Sequence, residues 1–125
     1  MYNEHGNLTK IVLKPGQSVM IPSGIKLNIP RGYALAFMNK SGIGAKKQLD
    51  RLAELVDEDY QGEVHINVVN NGCSNQEIDA GDKIIQGVLI PVSYAIPEEI
   101  PTVDELYKDM KSDRGTGGFG STGTK

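Results

Sequence analysis

The sequence has a single cysteine, Cys73. No intrachain disulfide can form, and a reducing compartment is the natural reading. Cys73 itself reads as an ordinary small residue beside the turn Asn70-Asn71-Gly72. No apolar run approaches the ~20 residues of a membrane span, so no membrane partner is expected. The opening stretch Met1-Tyr-Asn-Glu-His-Gly-Asn-Leu8 is polar and does not read as a secretory leader. A basic excess is also missing. The formal net charge is -3, which leaves no electrostatic footprint for DNA or RNA, since a basic face is needed to displace counterions from phosphates. No internal repeat is present. These absences point to a cytoplasmic protein, of a bacterium or a virus-infected cell, with neither nucleic acid nor membrane as partner. A small anionic ligand stays open to a local cluster.

What is present fits one domain. The chain has 125 residues, 38% hydrophobic and 23% charged. A domain of that size buries roughly two-thirds of its unfolded surface. Short apolar stretches alternate with turn residues. Leu8 to Lys14 ends at Pro15-Gly16, and Ser18 to Ile21 ends at Pro22-Ser23-Gly24. Ile25 to Ile29 alternates apolar and polar before Pro30-Arg31-Gly32. Tyr33 to Met38 is nearly all apolar and should be buried on both faces. Glu63 to Val69 alternates, and Ile84 to Val92 is a long apolar run. Strands this short and frequent predict an all-β barrel or jelly roll.

Two stretches depart from that pattern. Ala45 to Val56 spaces Leu49, Leu52, Ala53 and Val56 as a helix would. Thr102 to Met110 is a better helix, with Thr102 as cap, Glu105 three residues on, and Val103, Leu106 and Met110 as an apolar stripe. The last dozen residues are glycine-rich, which by composition alone is a flexible tail.

Four segments carry residues suited to chemistry. The tail opens with Arg114, holds one aromatic at Phe119, and has hydroxyls at Ser121, Thr122 and Thr124 among its glycines. Arginine forks onto phosphate oxygens, glycines admit backbone amides to phosphates, and phenylalanine lies flat on a base. Such a strap would close over a nucleotide triphosphate and exclude water. The second segment is Asp57-Glu58-Asp59-Tyr60-Gln61-Gly62-Glu63. It reads as a solvated turn, a metal site, or a general base, and the residues alone leave these open. The third, Asn39-Lys40-Ser41-Gly42-Ile43-Gly44, offers a lysine, a hydroxyl and two glycines to a phosphate, or is a plain turn. In the fourth, Gly81 to Gln86, the oddity is Gln86, an amide inside an apolar run that needs partners if buried.

In this order the four segments resemble the motifs of the trimeric dUTP diphosphatase family, most closely its phage and some bacterial members. Lys40-Ser41-Gly42 is similar to motif two, Val56 to Glu63 to motif three, Gly81 to Gln86 to motif four, and Arg114 to Gly123 to motif five. Leu13-Lys14-Pro15-Gly16, Ile21 to Ile25 and Ile29 to Tyr33 match the linking strands, so the resemblance covers nearly the whole chain. It implies a jelly-roll subunit, a homotrimer whose sites draw on all three chains, and hydrolysis of dUTP to dUMP and pyrophosphate with Mg2+ carried on the triphosphate. Such an activity keeps uracil out of DNA and supplies dUMP for thymidylate synthesis. Asp57 would activate the water that attacks the α-phosphorus. Tyr60 would sit under the deoxyribose and reject a 2′-hydroxyl. Lys40, Ser41, Gly42 and Gln86 would contact phosphates. Arg114 would hold the γ-phosphate, Phe119 would stack on uracil between Gly118 and Gly120, and Ser121 and Thr122 would touch the phosphates. Uracil would be read by backbone groups before and around Asp57.

The resemblance also implies a division of the chain: a jelly-roll-like β-barrel core over residues 1–101, a short helix and linker over 102–112, and a nucleotide-closing tail over 113–125. Three departures stand out. No Gly-Leu-Asp-Leu-like motif one precedes Leu8. Lys40 stands where arginine is usual, keeping the charge without the planar fork. Lys46 to Glu54 is shorter than the usual hairpin and carries Arg51 and Glu54 in place of asparagine and glycine. The flanking motifs favour a hairpin over a helix for this stretch. The absent motif one motivates a second reading, a nucleotide-binding or regulatory protein with little catalysis. A related dCTP deaminase is a third, disfavoured by the form of Asp57 to Tyr60 and by Phe119.

Overall fold

Proline and glycine punctuate the first half of the chain, and strands end where they stand in the computed structural model. The structure describes residues 4–7 and 9–123; Leu8 and Thr124 lie outside them. Two compact units are present, residues 1–93 and 94–125. Among the described residues the first unit holds β1 (Lys10–Leu13), β2 (Ser18–Pro22), β3 (Tyr33–Asn39), β4 (Leu49–Arg51), β5 (Leu55–Val56), β6 (His65–Asn70), β7 (Gln76–Asp79) and β8 (Ile85–Pro91). They form three antiparallel sheets, β1-β7, β2-β6-β4 and β5-β3-β8. Every pairing joins strands that are not consecutive in sequence, the mark of jelly-roll-like winding rather than of simple hairpins.

The core gathers Leu13, Leu49, Val68 and Ile78 from four strands and Ile84 from just ahead of β8, with Ile11, Val19, Ile21, Ile43 and Ile66 packed around them. Each such side chain contributes roughly 1.5–3 kcal/mol by leaving water. Asn70 is fully buried at the end of β6. Its amide donates to the carbonyls of Leu13 (2.9 Å) and Ser74 (2.8 Å) and accepts from the Gly72 amide (2.9 Å), so its side chain ties β1 to the turn that carries exposed Cys73. Lys10 bonds Glu77 across β1-β7 at 2.8 Å; that bond pulls the Glu77 carboxyl below its usual range and lifts Lys10. An exposed pair of this kind adds little stability.

Several expectations are corrected. Ile25 to Ile29 is not a strand, and among the described residues it pairs with none. Its single tie to β6's approach is the Val64 amide on the Ile25 carbonyl, and only Ile29 of the five is buried. Ala45 to Val56 is neither a helix nor a closed hairpin. A π-helical turn at Ile43–Lys47 ends at Gln48, whose φ of 52° is left-handed, and the chain then extends into β4 and β5. Those two strands join different sheets, so Leu49 enters the core while Leu52 is exposed. β3 is buried on both faces only in its middle, Ala34 and Ala36 on one side and Phe37 on the other, while Tyr33 and Met38 are exposed at its ends. β7, with Ile78 as its sole large apolar residue, was not anticipated.

In the second unit the helix is shorter than its periodicity predicts. α1 spans Val103–Leu106, and the Thr102 hydroxyl accepts from the Glu105 amide at 3.3 Å as the capping pattern requires. Val103, Leu106 and Met110 are exposed.

Candidate functional site

The carboxylate turn grows out of β5. Val56 pairs with Leu35 and Leu55 with Ala36, and the Phe37 amide reaches the Glu54 carbonyl at 2.7 Å. Asp57 is therefore the first residue beyond a held strand, and the Tyr60 amide folds back onto its carbonyl at 3.2 Å. The acidic residues around it divide their work. Glu58 accepts from the Gly32 amide, in a turn where Gly32 has a φ of 83°. Glu63 accepts from the Gly24 amide at 2.7 Å. Both carboxylates pin neighbouring turns, while Asp57 and Asp59 face solvent. Tyr60 is 45% exposed, and its hydroxyl donates to the Glu63 carbonyl at 2.8 Å.

Lys40, Ser41, Gly42 and Gln86 gather at the far end of β3. The Lys40 carbonyl accepts from the amides of Ile43 (3.0 Å) and Gly44 (2.8 Å). The amides of Ser41 and Gly42 stand on the first turn of that helical segment, where no preceding helical carbonyl reaches them. Gln86 lies opposite Met38 on β8 and donates to the Asn39 carbonyl at 3.3 Å. Gln86 is exposed, not buried in its apolar run, because β8 turns much of its length to solvent. Asn39, which opens the third segment and had no role assigned to it from sequence, is the hub: its side chain donates to Asp50 at 2.6 Å and accepts from the Arg51 amide at 3.2 Å. An asparagine closing an apolar strand was the available signal. A polar hollow of about 370 Å³ lies beside this end, lined by Asn39, Gly44, Gln48, Leu49, Asp50 and Asn71. The apolar cleft of about 360 Å³ between β1, β2 and β7 is lined in part by Gly81, Asp82 and Ile84 of the fourth segment, but by none of the residues expected to touch nucleotide.

β3 sets these two groups apart. Continuing the β5 register puts Asp57 opposite Ala34, and Asn39 is five residues further along. At ~3.3 Å per residue that is about 17 Å. Within one chain, Asp57 and Tyr60 sit at one end of the strand, and Lys40, Ser41, Gly42 and Gln86 at the other.

The departures from the family pattern have a local structure of their own. Arg51 bonds Glu54 at 3.0 Å across the step from β4 to β5, and its Nε is buried without a partner. In the tail, Arg114 folds onto its own turn: its Nε donates to the Gly117 carbonyl at 2.7 Å, and the Gly117 amide returns to the Arg114 carbonyl at 3.0 Å. A Cβ on Gly117 would lie 3.0 Å from the Arg114 carbonyl and from Ser121. Gly120, with a φ of 83°, opens the next turn, and Phe119 is fully exposed between Gly118 and Gly120. Ser121 and Thr122 are exposed as well.

Among the described residues, no three of His, Cys, Asp and Glu are grouped to hold a metal ion. No helix among them is long and apolar enough to cross a membrane.

A β-sheet chain with an exposed carboxylate turn, a phosphate-suited glycine turn and an arginine-led glycine tail fits a class of nucleotide-handling proteins. The chain belongs to the dUTPase family, whose model matches residues 7–123. It is 38% identical to the deoxyuridine 5'-triphosphate nucleotidohydrolase of Maricaulis maris over 117 residues, covering 92% of this chain and 73% of that one. With the enzyme of the same description from Shewanella halifaxensis it shares 40% identity over 120 residues, 94% of this chain and 75% of that one. The chain thus spans about three quarters of these relatives. Solved structures agree in fold. A mutant dUTPase of Staphylococcus bacteriophage 80alpha with dUpNHpp has a TM-score of 0.80 at 22% identity, covering 93% of this chain and 82% of that one. A mutant dUTPase of phage phi11 of S. aureus, described with a coordinated structural Mg(II) ion, has a TM-score of 0.69 at 21% identity, over 77% and 80%.

Proposed function

We propose that this chain hydrolyses dUTP to dUMP and pyrophosphate, with Mg2+ arriving on the triphosphate as part of the substrate. The observation that carries the reading is the family match over residues 7–123, with an exposed Asp57 set at a strand exit. Asp57 accepts a proton from water as its oxygen attacks the α-phosphorus, and the bond to the bridging oxygen of the pyrophosphate breaks. Tyr60 lies against the deoxyribose. Lys40, Ser41, Gly42 and Gln86 hold phosphate oxygens. Arg114 grips the γ-phosphate, Phe119, flanked by Gly118 and Gly120, covers uracil, and Ser121 and Thr122 add phosphate contacts.

The spacing along β3 supports a shared site. The base that activates a nucleophile and the groups that hold the phosphate under attack must lie within a few ångströms of one reacting atom. Asp57 and Gln86 of the same chain are too far apart for that, so each serves a site completed by another copy. A homotrimer with three shared sites meets this requirement, the tail of one copy closing on a site formed by others.

A pyrophosphate-release assay with dUTP, dCTP, dTTP and UTP tests the reading. Turnover of dUTP far above the other three is expected. Equal rates on all four, or none on dUTP with magnesium present, would sink it.

A further inference from the structure

The Glu63 carbonyl accepts two hydrogen bonds. One comes from the Tyr60 hydroxyl at 2.8 Å and the other involves Nδ1 of His65 at 2.9 Å. A carbonyl oxygen has two lone pairs and no proton to give, so the Nδ1 of His65 carries the hydrogen. His65 opens β6, where it pairs with Pro22, and its ring is half-buried. The peptide it touches is fixed from other sides too. The Glu63 carboxylate takes the Gly24 amide at 2.7 Å. Val64 accepts from the Ser23 hydroxyl at 2.6 Å and its amide donates to the Ile25 carbonyl at 2.9 Å. Tyr60 reaches this carbonyl only because residue 62 is glycine: a Cβ there would overlap the tyrosine's Oη and Cζ.

We propose that His65 is a positioning residue for Tyr60, holding the Glu63 carbonyl at the angle that fixes the tyrosine ring and so sharpening selection of deoxyribose over ribose. The inference rests on the reading of Tyr60 as the sugar-facing residue. The imidazole aligns the acceptor, the acceptor anchors the hydroxyl, and the ring, 45% exposed, presents a face of fixed tilt. A 2′-hydroxyl is rejected only if that face does not yield. The histidine does not touch the nucleotide; it acts through one peptide group.

The test compares His65→Leu, which removes the donor, with His65→Asn, whose amide nitrogen can reach the position of Nδ1. Calorimetry with dUMP and UMP gives the binding ratio without need of turnover, and kinetics with dUTP and UTP give the ratio of kcat/KM. His65→Leu is expected to lower deoxy selectivity about tenfold, the scale of one hydrogen bond. The expected loss lies in weaker exclusion of UMP and UTP, with kcat for dUTP nearly kept. His65→Asn restores most of the selectivity, and Tyr60→Phe with His65→Leu is no worse than Tyr60→Phe alone. Unchanged selectivity in His65→Leu, no rescue by asparagine, or additive losses in the double variant each overturn the proposal. An unmodified chain that binds dUMP over UMP yet leaves dUTP intact contradicts the hydrolytic reading and not this one. Equal binding of dUMP and UMP removes both the role of Tyr60 and that of His65.

Discussion

Asp57→Asn is expected to lower kcat for dUTP by about 10²- to 10⁴-fold, the usual worth of a general base, with nucleotide affinity little changed. Asparagine keeps the shape of the side chain and removes its capacity to take a proton. It also removes a negative charge from a site that receives a triphosphate, so binding has no electrostatic reason to weaken. Two of the three acidic neighbours are engaged elsewhere. Glu58 is engaged by the Gly32 amide and Glu63 by the Gly24 amide. Asp59, exposed beside Asp57, is the control: Asp59→Asn should turn over dUTP normally. Steady-state kinetics and dUMP calorimetry on both variants decide the matter. Normal turnover in Asp57→Asn would assign water activation elsewhere.

Ending the chain after Asp113 should reduce kcat/KM by about 10²- to 10³-fold, the scale seen when pre-aimed donors to a developing charge are removed. The truncation deletes Arg114, Phe119 and the hydroxyls together. The loss should be functional, not structural. The described residues among those removed are almost all exposed, and they belong to the unit of residues 94–125. Thermal unfolding of the core should therefore move little. Arg114→Lys separates charge from geometry. In the structure the Arg114 Nε is already bonded to the Gly117 carbonyl, which leaves the two terminal nitrogens as the phosphate fork. Lysine has one nitrogen for both tasks, so an intermediate loss is expected. Full activity in the truncated chain would remove the tail from the mechanism.

Much of the first unit was legible because its strands are bounded by residues that cannot continue them. Pro15-Gly16 ends the stretch containing β1, and Pro30-Arg31-Gly32 sets the start of β3. What was not legible depends on partners distant in sequence. β7 reads Gln-Glu-Ile-Asp and carries almost no pattern; it is a strand because β1 supplies its ladder. Ile25 to Ile29 has the pattern and no ladder, so it stays irregular. The helical spacing of Leu49, Leu52 and Val56 arises from a chain crossing between two sheets, each of which takes an apolar residue where it needs one. The site was legible as residue types, and its grouping was not. Gln86 joins Lys40 through the register of β8 on β3, and Glu58 and Glu63 are drawn into turns by amides about 26 and 39 residues away, contacts that spacing does not encode.

The distance along β3 has a genetic consequence. If catalysis needs Asp57 from one copy and Ser41 and Gln86 from another, two inactive alleles can complement within one assembly. Chains carrying Asp57→Asn retain a sound phosphate end, and chains carrying Ser41→Ala with Gln86→Ala retain a sound carboxylate. Random co-assembly of equal amounts pairs the two intact ends in about a quarter of the sites. Activity would reappear on mixing during refolding, from parents that have almost none.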